Sequence, residues 1–99
     1  MIKPAEDFKT FLTRMSEEFG ALSSLLEAHG LDVASTQARA RGNVCASEAL
    51  SVEKVEGPVT ISRSEELRRE EIVGELNRLR KIEKAEAERG LKEWRKNSR

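Results

Sequence analysis

The chain has 99 residues, the length of one small domain, and is 37% hydrophobic and 36% charged. The usual charged share is about 25%, so the proportions suit long charged helices better than a thick globular core. Formal charge sums to zero but is unevenly placed: residues 1–77 carry nine basic and fourteen acidic groups, residues 78–99 nine basic and four acidic. The end is therefore +5 and the rest −5, an asymmetry that concerns partners and orientation rather than fold.

The first predicted element is a helix over about 4–29. Phe8, Leu12, Met15, Phe19, Leu22, Leu26 and His29 follow at spacings of four, three, four, three, four and three. That alternation keeps side chains on one helix face, as a bundle or coiled-coil seam requires. Phe11 and Leu25 widen the stripe. Pro4 suits the first helical position, with Glu6 and Asp7 in the first turn. Gly30 stands where a left-handed cap belongs, with Leu31 placed to contact Leu26 in a Schellman motif. Gly20 lies off the seam. The stripe packs either on the rest of its own chain or on a second copy. The expected interface is Phe8, Leu12, Met15, Phe19, Leu22 and Leu26.

Residues 31–61 read as an irregular connector. Asp32 suits the cap of a short helix over 33–41, ended by Gly42. Leu50 and Val52, then Val59 and Ile61, alternate with polar residues around Glu56-Gly57-Pro58, the pattern of a small β-hairpin. Such a hairpin needs a helix or partner behind it. Cys45, Ala49 and Val52 also fit a helical turn.

A second long helix is expected over 63–96. Ser62 and Glu65 have capping-box spacing, and Leu67, Ile72, Leu76, Leu79 and Ile82 form a stripe, continued less regularly by Ala87, Leu91 and Trp94. Glu65 with Arg68 and Arg69, Glu75 with Arg78, and Glu88 with Lys92 are helix-spaced ion pairs. This helix would be roughly 50 Å long, against a diameter of some 30–35 Å for a compact domain of this size. Its distal part, from residue 83 on, must fray, bend at Gly90 or lie on another molecule.

Chemistry-bearing motifs are scarce. His29 and Cys45 are the sole residues of their types, too few for a structural zinc site without two more ligands. The glycines form neither GxGxxG nor GxxxxGK[ST]. The sixteen glutamates lie along faces rich in Lys and Arg, as solvated helix surface does. No catalytic, cofactor or metal site is expected. At about 100° per residue, Arg78, Lys81, Lys84, Arg89, Lys92, Arg95 and Lys96 spread across one half of the last helix. Such a basic face can hold phosphates.

The expected architecture is mainly α, a helical hairpin or bundle in one domain spanning 1–99. The expected function is that of a non-enzymatic adaptor or small regulator, acting through helix–helix contacts as a homo-oligomer and with another protein. A nucleic-acid accessory factor using the basic face is the alternative. A lone cysteine, the lack of a membrane-length apolar run and the acidic start behind Lys3 suggest the cytoplasm and no membrane.

Overall fold

The computed structural model describes residues 6–55, 57 and 59–97. Among these it contains three helices and no strand: α1 (Phe8–Ala28), α2 (Asp32–Ser51) and α3 (Arg63–Asn97). Helix α1 packs most extensively against α2, while α3 lies across the pair and touches α2 least. The core gathers Phe11, Leu12, Met15, Phe19, Leu22 and Leu26 from α1 with Ala38, Cys45 and Ala49 from α2 and Ile72, Leu76 and Leu79 from α3.

Helix α1 starts four residues later than the sequence pattern suggests. Asp7 occupies the cap position and Glu6 precedes it, so neither acid lies in the first turn; Pro4 is outside the described residues. Both acids have tertiary uses instead. Glu6 pairs with Arg14 at 2.6 Å, and its carbonyl accepts a 2.7 Å hydrogen bond from Arg69 Nη2. Asp7 is buried and accepts the Val55 amide at 3.2 Å, which holds the α2–α3 connector against the start of α1. At the other end the Schellman motif forms as expected. Gly30 has φ +75°, its amide reaches the Glu27 carbonyl at 2.9 Å, and the Leu31 amide reaches Leu26 at 2.9 Å. Leu31 packs on the core.

Helix α2 corrects the reading of the connector. It runs unbroken for 20 residues, through Gly42 and through the first half of the proposed hairpin; Val59 and Ile61 lie in neither helix nor strand. Asp32 is the first residue of α2 rather than its cap. The physical reason lies in the buried residues of α2, Ser35, Ala38, Gly42, Cys45 and Ala49. They sit at helical spacing, but all are small, so they bury a face without a hydrophobic signal. Three contacts fix the antiparallel register of α1 and α2. Ser23 and Ser35 each donate a hydroxyl to the other's carbonyl, at 3.0 and 2.9 Å. A Cβ placed on Gly42 would stand 3.2 Å from both Phe19 Cβ and the Ser16 carbonyl. Lys9 Nζ donates to the Ala49 and Val52 carbonyls at 2.6 and 3.2 Å, satisfying orphan acceptors where α2 ends and placing a cation at its negative pole.

Helix α3 spans 35 residues. Ser62 Oγ accepts the Glu65 amide at 3.2 Å, the capping contact the sequence marks. The Glu65 carboxylate turns to Arg69, at 3.2 Å. Arg68 reaches across to Glu48 on α2 and along its own helix to Glu71. Near the start of α3, the Arg69 guanidinium lies 5.0 Å from the Phe11 ring centre and 5.7 Å from that of Phe8. With Phe8 stacked on Phe11 at 6.1 Å, this joins α1 to α3 by cation–π contact. The molecule measures 59 × 32 × 19 Å with a radius of gyration of 16.9 Å, against about 13 Å for a compact domain of this size. The excess length is the distal half of α3.

Two glycines test the close approach. Gly42→Val should lower stability by about 1–3 kcal/mol, because the added methyls push on a backbone carbonyl that cannot rotate away. Gly20→Ala, with nothing within 4 Å of its would-be Cβ, should raise stability by up to about 1 kcal/mol. Thermal melts followed by circular dichroism read both signs; a Gly42→Val variant melting with the wild type would remove the packing account of α2.

Acid should loosen the Asp7 tether. The Thr10 hydroxyl above all, then the Val55 and Thr10 amides and the Lys54 charge, against the effect of desolvation, hold the Asp7 carboxyl below its ordinary 3.8. A depressed folded-state value gives stability that is complete above the unfolded value and lost as pH falls through the folded one. Wild-type melting should therefore drop more steeply than that of Asp7→Asn below about pH 4. Parallel curves for the two proteins would show that the carboxylate charge does not stabilise the fold.

Candidate interaction site

The residues expected to form an interface between chains are taken up within this one. Leu12, Met15, Phe19, Leu22 and Leu26 are buried by α2 and α3, and Phe8 is partly buried against the same core. Of the two flanking residues, Phe11 is buried and Leu25 is half exposed, at 51%. The sequence shows that this face must be covered. It does not show what covers it, because the small-residue face of α2 carries no apolar pattern.

The basic residues of α3 are placed differently from one another. Arg78 is held to the body of the protein, donating to Gln37 Oε1 at 3.0 Å and pairing with Glu75 at 2.7 Å. Arg89 is bound to Glu86 and lies 3.9 Å from Glu93. Chiefly through the Arg89 hydrogen bond, Glu86 is held below the usual carboxylate range, and one of the edge's two acidic charges is offset. Lys81, Lys84, Lys92, Arg95 and Lys96 are exposed and lie on the side of α3 turned away from the core. The structure thus commits Arg78 and Arg89 to carboxylates and keeps the four lysines exposed on the face turned away from the core.

Helix α3 has two halves of different character. Ile72, Leu76 and Leu79 are buried and Ile82 partly so. A contact between His29 Nε2 and Glu83 Oε1 at 3.0 Å marks the level at which α1 ends. Beyond it the helix continues unbroken through Gly90 to Asn97. Leu91 is 50% and Trp94 65% exposed. At about 100° per residue, Ala87, Gly90, Leu91 and Trp94 share one side of this projection, close to the continuation of the core-facing side. An apolar strip thus runs out past the body that would have covered it. Glu86 and Glu93, bridged by Arg89, border it on one edge; Lys84 and Arg95 border it on the other.

A second feature lies between α2 and α3, where the two helices diverge. Phe19, Val44, Cys45 and Ile72 floor a cavity of about 70 Å³ that Arg41, Arg68, Glu71 and Glu75 border. This volume holds a few waters. Burial first, and then the Glu48 charge, push the Cys45 thiol up. It therefore stays protonated near neutrality and packs as a small apolar group rather than as a nucleophile. Among the described residues no group of three or more His, Cys, Asp or Glu is placed to hold a metal ion. No helix among them is long and apolar enough to cross a membrane.

Sequence reasoning missed Arg69 and Lys9 as interior ties, since each reads as a surface cation. The sequence carries no signal for either tie, because their hydrogen-bond partners lie 40 to 63 residues away along the chain. It also missed the register of small residues on α2, whose alternating three- and four-residue spacing is visible once apolar size is ignored.

Burial within one chain has a measurable consequence. Phe19→Ala should cost about 3–5 kcal/mol of stability, and the melting temperature of both wild type and variant should be independent of protein concentration. A wild-type melting point that climbs steadily with concentration would show instead that Phe19 is covered by a second chain.

Compared with protein-family models, with curated proteins and with solved structures, the chain matches none.

Proposed function

We propose that this protein acts by contact rather than by chemistry, as a small helical adaptor or regulator whose working surface is the projecting half of α3. One observation carries this reading: Leu91 and Trp94 stand half or more exposed on a stretch of helix that none of the described residues covers. An exposed tryptophan beside a leucine is the kind of anchor that dominates helix-in-groove binding, whereas scattered single apolar residues elsewhere on the surface need no such account. The exposed Lys81, Lys84, Lys92 and Lys96 add positive charge on one side of the strip, which speeds and selects encounter rather than supplying affinity.

A nucleic-acid accessory role is the second reading, and the outward position of Lys81, Lys84, Lys92, Arg95 and Lys96 favours it. The loss of Arg78 and Arg89 to carboxylates counts against it, because a phosphate must then displace an existing ion pair.

The two readings separate on one titration. Complexes captured from lysate by the wild type should survive nuclease and about 0.5 M salt, and should be lost on Trp94→Ala without change in melting. A phosphate binder should instead lose about 10³-fold or more in affinity between 50 and 200 mM salt, for six or more phosphate contacts. Capture that is nuclease-sensitive and indifferent to Trp94 would overturn the contact reading.

A further inference from the structure

We infer that the projecting half of α3 docks on the same segment of a second copy of this chain, antiparallel, about a two-fold axis beside Gly90 and Leu91. This deepens the contact reading above and rests on it. Four observations select a second copy as the occupant.

The first is length. From the level of the His29–Glu83 contact, α3 projects for fourteen residues, 84 to 97, about 20 Å. Two such projections laid antiparallel overlap over their full length, with each body standing just beyond the other's tip. A parallel arrangement would force both bodies into the same space, because the strip lies close to the core-facing side of the helix.

The second is surface shape. In the antiparallel register Trp94 of one copy lies over Ala87 of the other, and Gly90 faces Leu91. Large residues thus meet small ones in both halves of an isologous contact. Gly90 has nothing within 4 Å of its would-be Cβ, and a helical glycine costs roughly 1 kcal/mol against alanine. None of the described residues uses that space, whereas a second helix would.

The third is charge. Residues 1–77 are net −5 and residues 78–99 net +5, so the tip bearing Lys92, Arg95 and Lys96 arrives at the opposite sign. At the corner where it would land, Asp32 opens α2, and Glu83 and Glu86 stand on α3. A two-fold axis brings each acidic edge against its own image, and Arg89, bridging Glu86 and Glu93, offsets one of the two charges in each copy. Lys81, Lys84, Lys92 and Lys96 remain in water on the far side.

The fourth is area, which sets the strength. A strip of four apolar positions per copy falls below the roughly 800 Å² per partner of a standard stable interface. The dimer is therefore weak, in the micromolar range or above, and reversible.

Trp94 is the chain's single tryptophan and there is no tyrosine, so intrinsic fluorescence reports on this contact alone. Sedimentation equilibrium and emission spectra of the full chain should be recorded from about 10 μM to about 1 mM, a range bracketing such affinities. The mass should rise from 11.1 kDa toward twice that value, and emission should move to shorter wavelength in step. Leu91→Glu, which replaces a half-exposed residue outside the core, should weaken association about tenfold or more with unchanged helix signal and melting. A monomer with water-exposed emission at every concentration would overturn the inference, as would a dimer indifferent to Leu91→Glu. Neither result touches the contact reading, which stands or falls on Trp94-dependent capture from lysate.

Discussion

The close approach of α1 to α2 is the constraint on which the rest of the structure depends. At Gly42 the two backbones come so near that a single Cβ would press on the Ser16 carbonyl and on Phe19. This is possible because α2 turns only small side chains inward. The arrangement has an energetic consequence. Alanine, glycine, serine and cysteine bury little apolar area, so α2 contributes mainly a surface against which α1's large residues pack tightly. Dispersion contacts at native density then do what area alone does not. The Ser23–Ser35 pair completes the seam, because two hydroxyls buried without partners would cost more than they return, whereas here each donates to the other's carbonyl.

With α1 and α2 joined so closely, α3 cannot enter between them and lies across both. Its attachment is correspondingly mixed. Ile72, Leu76 and Leu79 supply the apolar part, and polar ties secure the end nearest the start of α1. Arg69 sits on two phenylalanine rings and donates to the Glu6 carbonyl; Arg68 joins Glu48; Asp7 receives the Val55 amide. These contacts gather where the chain passes from α2 to α3, at the end of the molecule opposite the projection. Toward the other end Arg78 reaches Gln37 and His29 meets Glu83, and beyond that level the far half of α3 projects past the body.

The two outer helices were legible in the sequence because both are marked by large apolar residues at helical spacing and by recognisable ends. The Gly30 cap and the Ser62 cap sit where their residue types require. Helix α2 was not legible, and the reason is physical. Methods of reading that weigh apolar bulk are blind to a face that works by being small, and Gly42 imitates a helix stop when it is in truth a point of contact. The same blindness made the α1 stripe ambiguous between an interior and an exterior partner. For the candidate site, the sequence located the basic face and the distal helix. Which arginines were already occupied, and which apolar residues remained uncovered, depends on where α1 and α2 end relative to α3, and only the folded chain sets that.

The projecting helix poses a question of stability. A fourteen-residue helix alone in water is marginal even with favourable composition, since nucleation is costly. Here nucleation is already complete: the segment grows from a turn fixed by Leu79 and Ile82, so only propagation is needed. The Glu86–Arg89–Glu93 ladder and the basic last turn, Arg95 and Lys96, favour the helical state through ion pairing and the dipole. None of this requires Leu91 or Trp94. Alanine or glutamate at those positions would propagate the helix as well or better and would not expose apolar surface to water. The local interactions therefore account for the helix and leave its two large apolar residues unexplained as supports of the fold. Among the described residues, no packing contact of the fold accounts for that exposed tryptophan.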